Sequence, residues 1–361
     1  MNINPRLVNN IRHVTPYTPG EQKEEAIIKL NTNENPYPPS PLVAEALKGI
    51  EVENFRLYPD SDSKELKKTL ADYHQINQDN IFVGVGSDEV LALCFLTFFN
   101  SKHPILFPDV TYSFYKVWAQ LYHVPYQLQS LDDNFRLIKY DYYKANGGII
   151  FPNPNAPTGI VEDLDFVENI LKENPNVVVI VDEAYIDYVG EGDGTEFSAS
   201  GLISKYSNLV VVRTFSKSRS MAGVRVGYAL ANSQLIKYLE EVKNSFNSYT
   251  MNLVSQKVAV ASLLDNDYFE RKIEQIISTR EWFMEELNLL GFETTESKGN
   301  FVFTKHKEHL ASLLFEGLRD QGIYVRHWKE DRIKDYLRIT IGTKAEMDTL
   351  LGELKKLINT L

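Results

Sequence analysis

From residue 41 onward the chain alternates between two hydrophobic rhythms. Stretches with apolar residues three or four positions apart, such as PLVAEALKGI and DEVLALCFLTFF, predict helices with one face turned to a core. Between such stretches lie short apolar runs, namely IFVGVG, PILFPD, GGIIFPN, VVVIVDE and LVVVRTFS. Unbroken runs of this length predict strands buried on both faces. Strands that alternate with helices predict a parallel sheet joined by right-handed crossovers, hence one large α/β domain over residues 41–245. After a long helical stretch from about 251 to 290 the pattern becomes FETTESKGNFVFTK, GIYVRHW and YLRITIG, with helices between. This alternation predicts a smaller α+β domain over residues 246–361. Residues 1–40, rich in proline and asparagine, have little core of their own and are expected to form an arm lying against another surface.

Composition narrows the class of molecule. A chain of 361 residues with net charge -11 has no basic footprint of the kind nucleic acid requires, so local arginines must attract any anionic substrate. The single cysteine, Cys94, falls in an apolar helical stretch and reads as core, which excludes a disulfide framework. The opening MNINPRLVNN lacks the apolar segment of a signal peptide, and no later stretch has the length of a membrane span. A cytoplasmic protein without membrane or nucleic-acid partners is expected.

Candidate chemistry gathers where strands end, the edge at which open α/β sheets bind ligands. The run LVVVRTFSK delivers Ser216 and Lys217 there, with Arg225 close behind in the same stretch. A lysine held partly out of water has a lowered pKa and can offer a neutral amine for a Schiff base. Ser216 and Arg225 could hold a phosphate, and one amine beside two phosphate ligands points to pyridoxal phosphate. After IFVGV, residues Gly86, Ser87 and Asp88 form a small turn at a helix N-terminus, suited to an anion and equally to ordinary capping. The run VVVIV ends in Asp182, a carboxylate that would need a partner such as a pyridinium nitrogen unless it caps the next helix. Tyr185 could reach the cofactor's ring oxygen, as could Asn155 in PNPNAPTG, which by itself is a turn asparagine. Tyr112 in DVTYSFY could stack on the ring or belong to the core.

Together GSD, NPNAPTG, VDEAY and TFSKSRSMAGVRVGY, in this order, resemble the fold-type I aminotransferases that use pyridoxal phosphate. VTPYTPGEQ, KLNTNENPYPPS, NFRLYPDSDSKELKKTLA and YLRITIGT are similar to the histidinol-phosphate branch of that family, and the likeness runs from about residue 13 to about residue 345. The resemblance implies that Lys217 carries the cofactor and moves the substrate proton, and that Asp182 pairs with the pyridine nitrogen. By the same resemblance Tyr185 and Asn155 approach the ring oxygen, Tyr112 stacks, and Gly86, Ser87, Asp88, Ser216 and Arg225 surround the phosphate. Tyr37, Arg326 and Arg338 are implied in substrate binding, with glutamate, 2-oxoglutarate and histidinol phosphate as substrates. Tyr58 of RLYPD is implied to reach into a neighbouring subunit's site, hence a homodimer. The chain departs from many relatives at Ala156, where they have asparagine, so the ring-oxygen contact falls to Asn155. Aromatic amino-acid aminotransferases and phospho-amino-acid decarboxylases share the same core and remain alternatives.

Other constellations carry less. His306 and His309 in HKEH have a helical metal spacing but no evident third ligand. His327 beside Trp328 reads as a partly buried histidine or a pocket wall, and the acidic GEGDGTEF lacks the ligand spacing of a calcium loop.

Overall fold

The computed structural model describes residues 7, 9, 11–18, 20, 21, 28–190 and 197–360. Much of the expected arm, and residues 191–196 of the acidic loop, lie outside the described residues. Strand β1 (Ile28–Lys29) pairs, in parallel, with a strand near the other end of the chain.

The large domain is built on a seven-stranded sheet. Its strands are β2 (Ile81–Gly84), β3 (Ile105–Pro108), β4 (Tyr126–Gln129), β5 (Ile149–Pro152), β6 (Val179–Asp182), β7 (Leu209–Thr214) and β8 (Gly227–Ala231). Their order is β2-β8-β7-β6-β5-β3-β4, and β8 runs antiparallel to both neighbours. The five expected strands are present, while β4 and β8 extend the reading. β8 reverses because residues 215–226 hold no crossover helix, so the chain turns straight back beside β7. Alternate residues of the central strands serve two cores. Val179 and Val181 face one with helices Pro41–Lys48, Lys64–His74 and Leu164–Glu173, and Ile180 faces the other with Gly86–Phe98 and Ser233–Phe246. Burial on both faces is why these strands read as unbroken apolar runs.

The small domain has a four-stranded antiparallel sheet, β12-β13-β10-β9. These strands are β9 (Phe292–Thr294), β10 (Phe301–His306), β12 (Arg326–His327) and β13 (Leu337–Thr340), while β11 (Ile323–Tyr324) pairs with β1. Helices Asn266–Leu289, Ala311–Asp320 and Lys344–Thr360 cover it through a separate core that includes Ile276, Phe283, Leu314 and Leu350. The Leu253–Leu263 helix, capped by Asn252, puts Val258, Ala259 and Leu263 into the core that lies on the large sheet. No helix among the described residues is long and apolar enough to cross a membrane.

Candidate active site

Because β2, β3, β5, β6 and β7 run parallel, their carboxyl ends share one edge, and antiparallel β8 brings its amino end to the same place. That topology, not sequence proximity, draws the candidate residues together. Ser87, Asp88, Tyr112, Asp182, Tyr185, Ser216, Lys217 and Arg225 line a single cavity.

The Lys217 amine donates to the Thr32 carbonyl at 3.0 Å and lies 5.9 Å from the Tyr185 ring centre. Burial pushes it down to about 8, and the nearby Arg338 charge adds to the effect. Asp182 is buried at the end of β6, where its Oδ2 accepts from the Tyr115 hydroxyl at 2.8 Å and its Oδ1 from the Ala184 N–H at 3.3 Å. Burial pushes this carboxyl up to about 6, although the Tyr115 and Ala184 hydrogen bonds favour the ionised form. A carboxylate with two neutral donors and no cation at hand is suited to a cationic ring nitrogen.

At one end of the cavity the Arg225 guanidinium reaches Ser216 Oγ at 3.3 Å and Asp88 Oδ2 at 3.2 Å, and the Tyr112 hydroxyl donates to Asp88 Oδ1 at 2.9 Å. Gly86, with φ +80°, begins the Gly86–Phe98 helix and packs so tightly under Arg225 that a Cβ would lie 2.5 Å from its Nη2. Gly227, paired with both Gly84 and Thr214, would put a Cβ 2.3 Å from the Ser87 backbone nitrogen. The helix N-terminus, the serine and the arginine thus form an anion cradle closed by two residues that must lack side chains. Lysine, carboxylate and cradle fit pyridoxal phosphate, with Lys217, Asp182 and the Ser87/Ser216/Arg225 group as the residues that would hold it.

A second pocket adjoins the first and shares Thr32, Tyr112, Ala156, Tyr185 and Lys217 with it. Its far wall carries Arg326 and Arg338, with the Trp328 ring 5.7 Å and 5.4 Å from their respective guanidinium carbons. Arg338 donates through Nη2 to the Asn31 carbonyl at 2.9 Å, and its buried Nε has no partner among the described residues. An orphaned guanidinium N–H is a donor held ready for an anion.

Residues 25–354 match the model of the aminotransferase class I and II family. The histidinol-phosphate aminotransferase of Lactococcus lactis subsp. cremoris (strain MG1363) is 51% identical over 349 residues, 96% of each chain. The chain belongs to the histidinol-phosphate aminotransferases of that family. Among solved structures, the histidinol-phosphate aminotransferase from Clostridium acetobutylicum has a TM-score of 0.84 at 25% identity, covering 93% of this chain and 100% of its own. The enzyme of the same name from Sinorhizobium meliloti, solved in complex with pyridoxal-5'-phosphate, has a TM-score of 0.84 at 21% identity, covering 93% and 92%.

Three candidates are not brought to the cavity of this aminotransferase. Asn155 is buried with its amide engaged: Nδ2 donates to the Val110 carbonyl and Thr158 Oγ1, and Oδ1 accepts from Thr111 Oγ1 at 3.1 Å. It braces the loop, and Ala156 is the neighbouring residue that lines the cavity. Tyr37 packs against the Lys272 amine, 4.4 Å from its ring centre, rather than lining either pocket. Tyr58 is 81% exposed and stacks on Tyr249. His327 turns from the pocket to the Lys334 carbonyl, and His306 Nε2 pairs with the Leu290 carbonyl at 2.9 Å.

Sequence reading missed several aminotransferase site residues. Tyr115 lies three positions beyond Tyr112, in the first turn of the Phe114–Leu121 helix, and its ring meets that of Tyr112 edge-on at 5.8 Å. Tyr17 stacks on Phe114 at 4.4 Å and, like Trp328, lines the second pocket. Beneath the cavity, Glu183 accepts from Arg213 Nε at 3.0 Å and Asp187 accepts from the Ser218 hydroxyl at 2.5 Å. Arg213 also reaches Asp187, so one buried ion network braces the residues that follow both Asp182 and Lys217.

Proposed function

We propose that this chain transfers an amino group from glutamate to imidazole acetol phosphate, yielding 2-oxoglutarate and histidinol phosphate, with pyridoxal phosphate in the first cavity. The observation that carries the reading is the pairing of a partly desolvated Lys217 and a buried, cation-free Asp182 on one cavity, beside a pocket with an unsatisfied arginine. When bound, pyridoxal phosphate supplies an electron sink that makes the proton on a substrate's amine-bearing carbon acidic. Asp182 would hold the ring nitrogen, Tyr112 the ring, and Ser87, Ser216 and Arg225 the phosphate. The Lys217 amine would take up and return the substrate's proton, a role that needs an amine able to shed and regain its own proton near neutral pH. Arg338 and Arg326 bind the terminal anion, a carboxylate in glutamate and a phosphate in the other substrate. Tyr17 and Trp328 close the second pocket against water.

The enzyme works as a cytoplasmic homodimer, with Tyr58 of one protomer reaching the other's site. Supporting this, Val52, Phe55, Leu57 and Tyr58, close together in sequence, are all more than half exposed, as large apolar side chains are where they meet another surface.

A single-turnover absorbance experiment tests the substrate. Rapid loss of the bound cofactor's band on mixing with histidinol phosphate, and with glutamate, is expected. Fast reaction with phenylalanine alone would reassign the chain to aromatic amino acids, and release of carbon dioxide would reassign it to the decarboxylases.

A further inference from the structure

Three consecutive residues after β1 touch three groups of the site. The Asn31 carbonyl accepts from Arg338, the Thr32 carbonyl from Lys217, and the Asn33 side chain donates through Nδ2 to the Tyr185 hydroxyl at 2.9 Å. Asn33 is 1% exposed and sits at φ 54°, a conformation asparagine tolerates. Its carbonyl accepts from Asn300 Nδ2 at 2.9 Å.

The direction of the Asn33–Tyr185 bond follows from its surroundings. Thr340 Oγ1 accepts the Asn33 backbone N–H at 3.0 Å and gives its own proton to Asn33 Oδ1 at 3.2 Å. With the amide turned round, its NH2 would face a hydroxyl that already accepts, and the Thr340 proton would have no acceptor. The NH2 group therefore faces Tyr185. A phenol oxygen carries one proton and accepts through its lone pairs, so a donor bound to it leaves the phenol proton to be given elsewhere. Among the described residues nothing accepts that proton, and Tyr185 lines the cavity. Asn155 has its amide engaged and residue 156 is alanine, so Tyr185 alone of these three has a proton to give.

We propose that Asn33 is a positioning residue whose side-chain amide fixes Tyr185 as a hydrogen-bond donor into the cavity, toward an anionic oxygen of the bound ligand. With pyridoxal phosphate there, a reading on which this inference rests, that oxygen is the ring oxygen. Thr340 holds the amide in its orientation, which links the donor to the strand that also carries Arg338. An aspartate at 33 has the same shape and tolerates the same backbone, but it accepts instead of donating. It would draw the Tyr185 proton away from the ligand.

The test is a pH titration of the bound cofactor's visible absorbance in wild type, N33D, Y185F and the double variant. An ionised ring oxygen that loses a donor holds its proton to higher pH, so N33D is expected to raise the titration midpoint by about one pH unit. In the Y185F background the N33D shift should fall below half of that. Thr340→Val should shift the midpoint in the same direction by less, and Thr340→Ser should restore it, a pair that decides the matter even where N33D does not fold. A midpoint in N33D equal to wild type, or a shift of equal size with and without the Tyr185 hydroxyl, would overturn the role of Asn33. A wild-type protein that acquires no cofactor band would instead overturn the reading of the cavity.

Discussion

The buried Asp182 should make the cofactor-free protein less stable than it could be. Its carboxyl titrates at about 6 against 3.8 in water, chiefly because burial disfavours the charge. The unfolded chain releases this proton near 3.8 while the folded chain keeps it until about 6, so stability is lost as pH rises through that interval and stays lost above it. A difference of about two pH units, at roughly 1.4 kcal/mol each, amounts to about 3 kcal/mol at pH 8. The substitution Asp182→Asn removes the pH-dependent part of this cost, although its one amide oxygen can accept from only one of the two donors, the Ala184 N–H or the Tyr115 hydroxyl. Urea unfolding of the cofactor-free proteins at pH 4.5, 6 and 8 reads the effect. The stability of D182N relative to wild type should rise by about 2 kcal/mol between pH 4.5 and pH 8. Saturating pyridoxal phosphate should stabilise wild type more than D182N, since the carboxylate then has its cation. A difference between the two proteins that does not change with pH would refute the argument.

Other consequences are open to direct measurement. Covalent capture of added pyridoxal phosphate by the cofactor-free protein requires neutral Lys217, so its rate should rise with pH through a midpoint near 8. Arg338→Met removes one cause of the depression and should move that midpoint upward, whereas an unmoved midpoint would exclude Arg338 as a cause. Gly227→Ala places a methyl 2.3 Å from the Ser87 nitrogen and 2.4 Å from the Gly86 carbonyl carbon. Overpacking of this kind costs about 1–3 kcal/mol, so equilibrium dialysis should find cofactor affinity weaker by about fivefold or more. Phe55→Glu puts a charge in the exposed apolar group around Tyr58 and should yield monomers in sedimentation velocity, with activity lost alongside. A fully active monomer would refute the shared site.

The parallel sheet and its strand-end residues were legible because their physics is local. A strand buried on both faces must be apolar throughout, and a charge at its end, as at Asp182 or Lys217, stands out. The YQLQ of β4 did not stand out because an edge strand is half solvated, with Gln127 and Leu128 exposed. The GYALA of β8 lacks the β-branched residues that mark a strand. The direction in which Asn155 faces was not legible, because a turn asparagine can face either way, and here loop partners claim its amide. Asn33 was invisible for a different reason. In sequence it is one polar residue in a polar turn, and its partners Tyr185, Asn300 and Thr340 lie 152 to 307 positions away.

The pairing of β1 with β11 joins Ile28 to Ile323, nearly the two ends of the chain. In time rather than space, this means that β1 leaves the ribosome long before its partner exists. The large domain's sheet closes through β8 at residue 231 and its core is completed by the Leu253–Leu263 helix, so that domain can fold while β9 to β13 are still being made. Residues 31–33 gain their positions only when β11 and β13 arrive, and with them the contacts to Arg338 and the bond to Thr340. A nascent chain therefore exposes its lysine and carboxylate before it has the wall that orients Tyr185. The order of synthesis makes the anion pocket the last part of the site to be completed, so premature truncation would leave a cofactor cradle without the means to select a substrate.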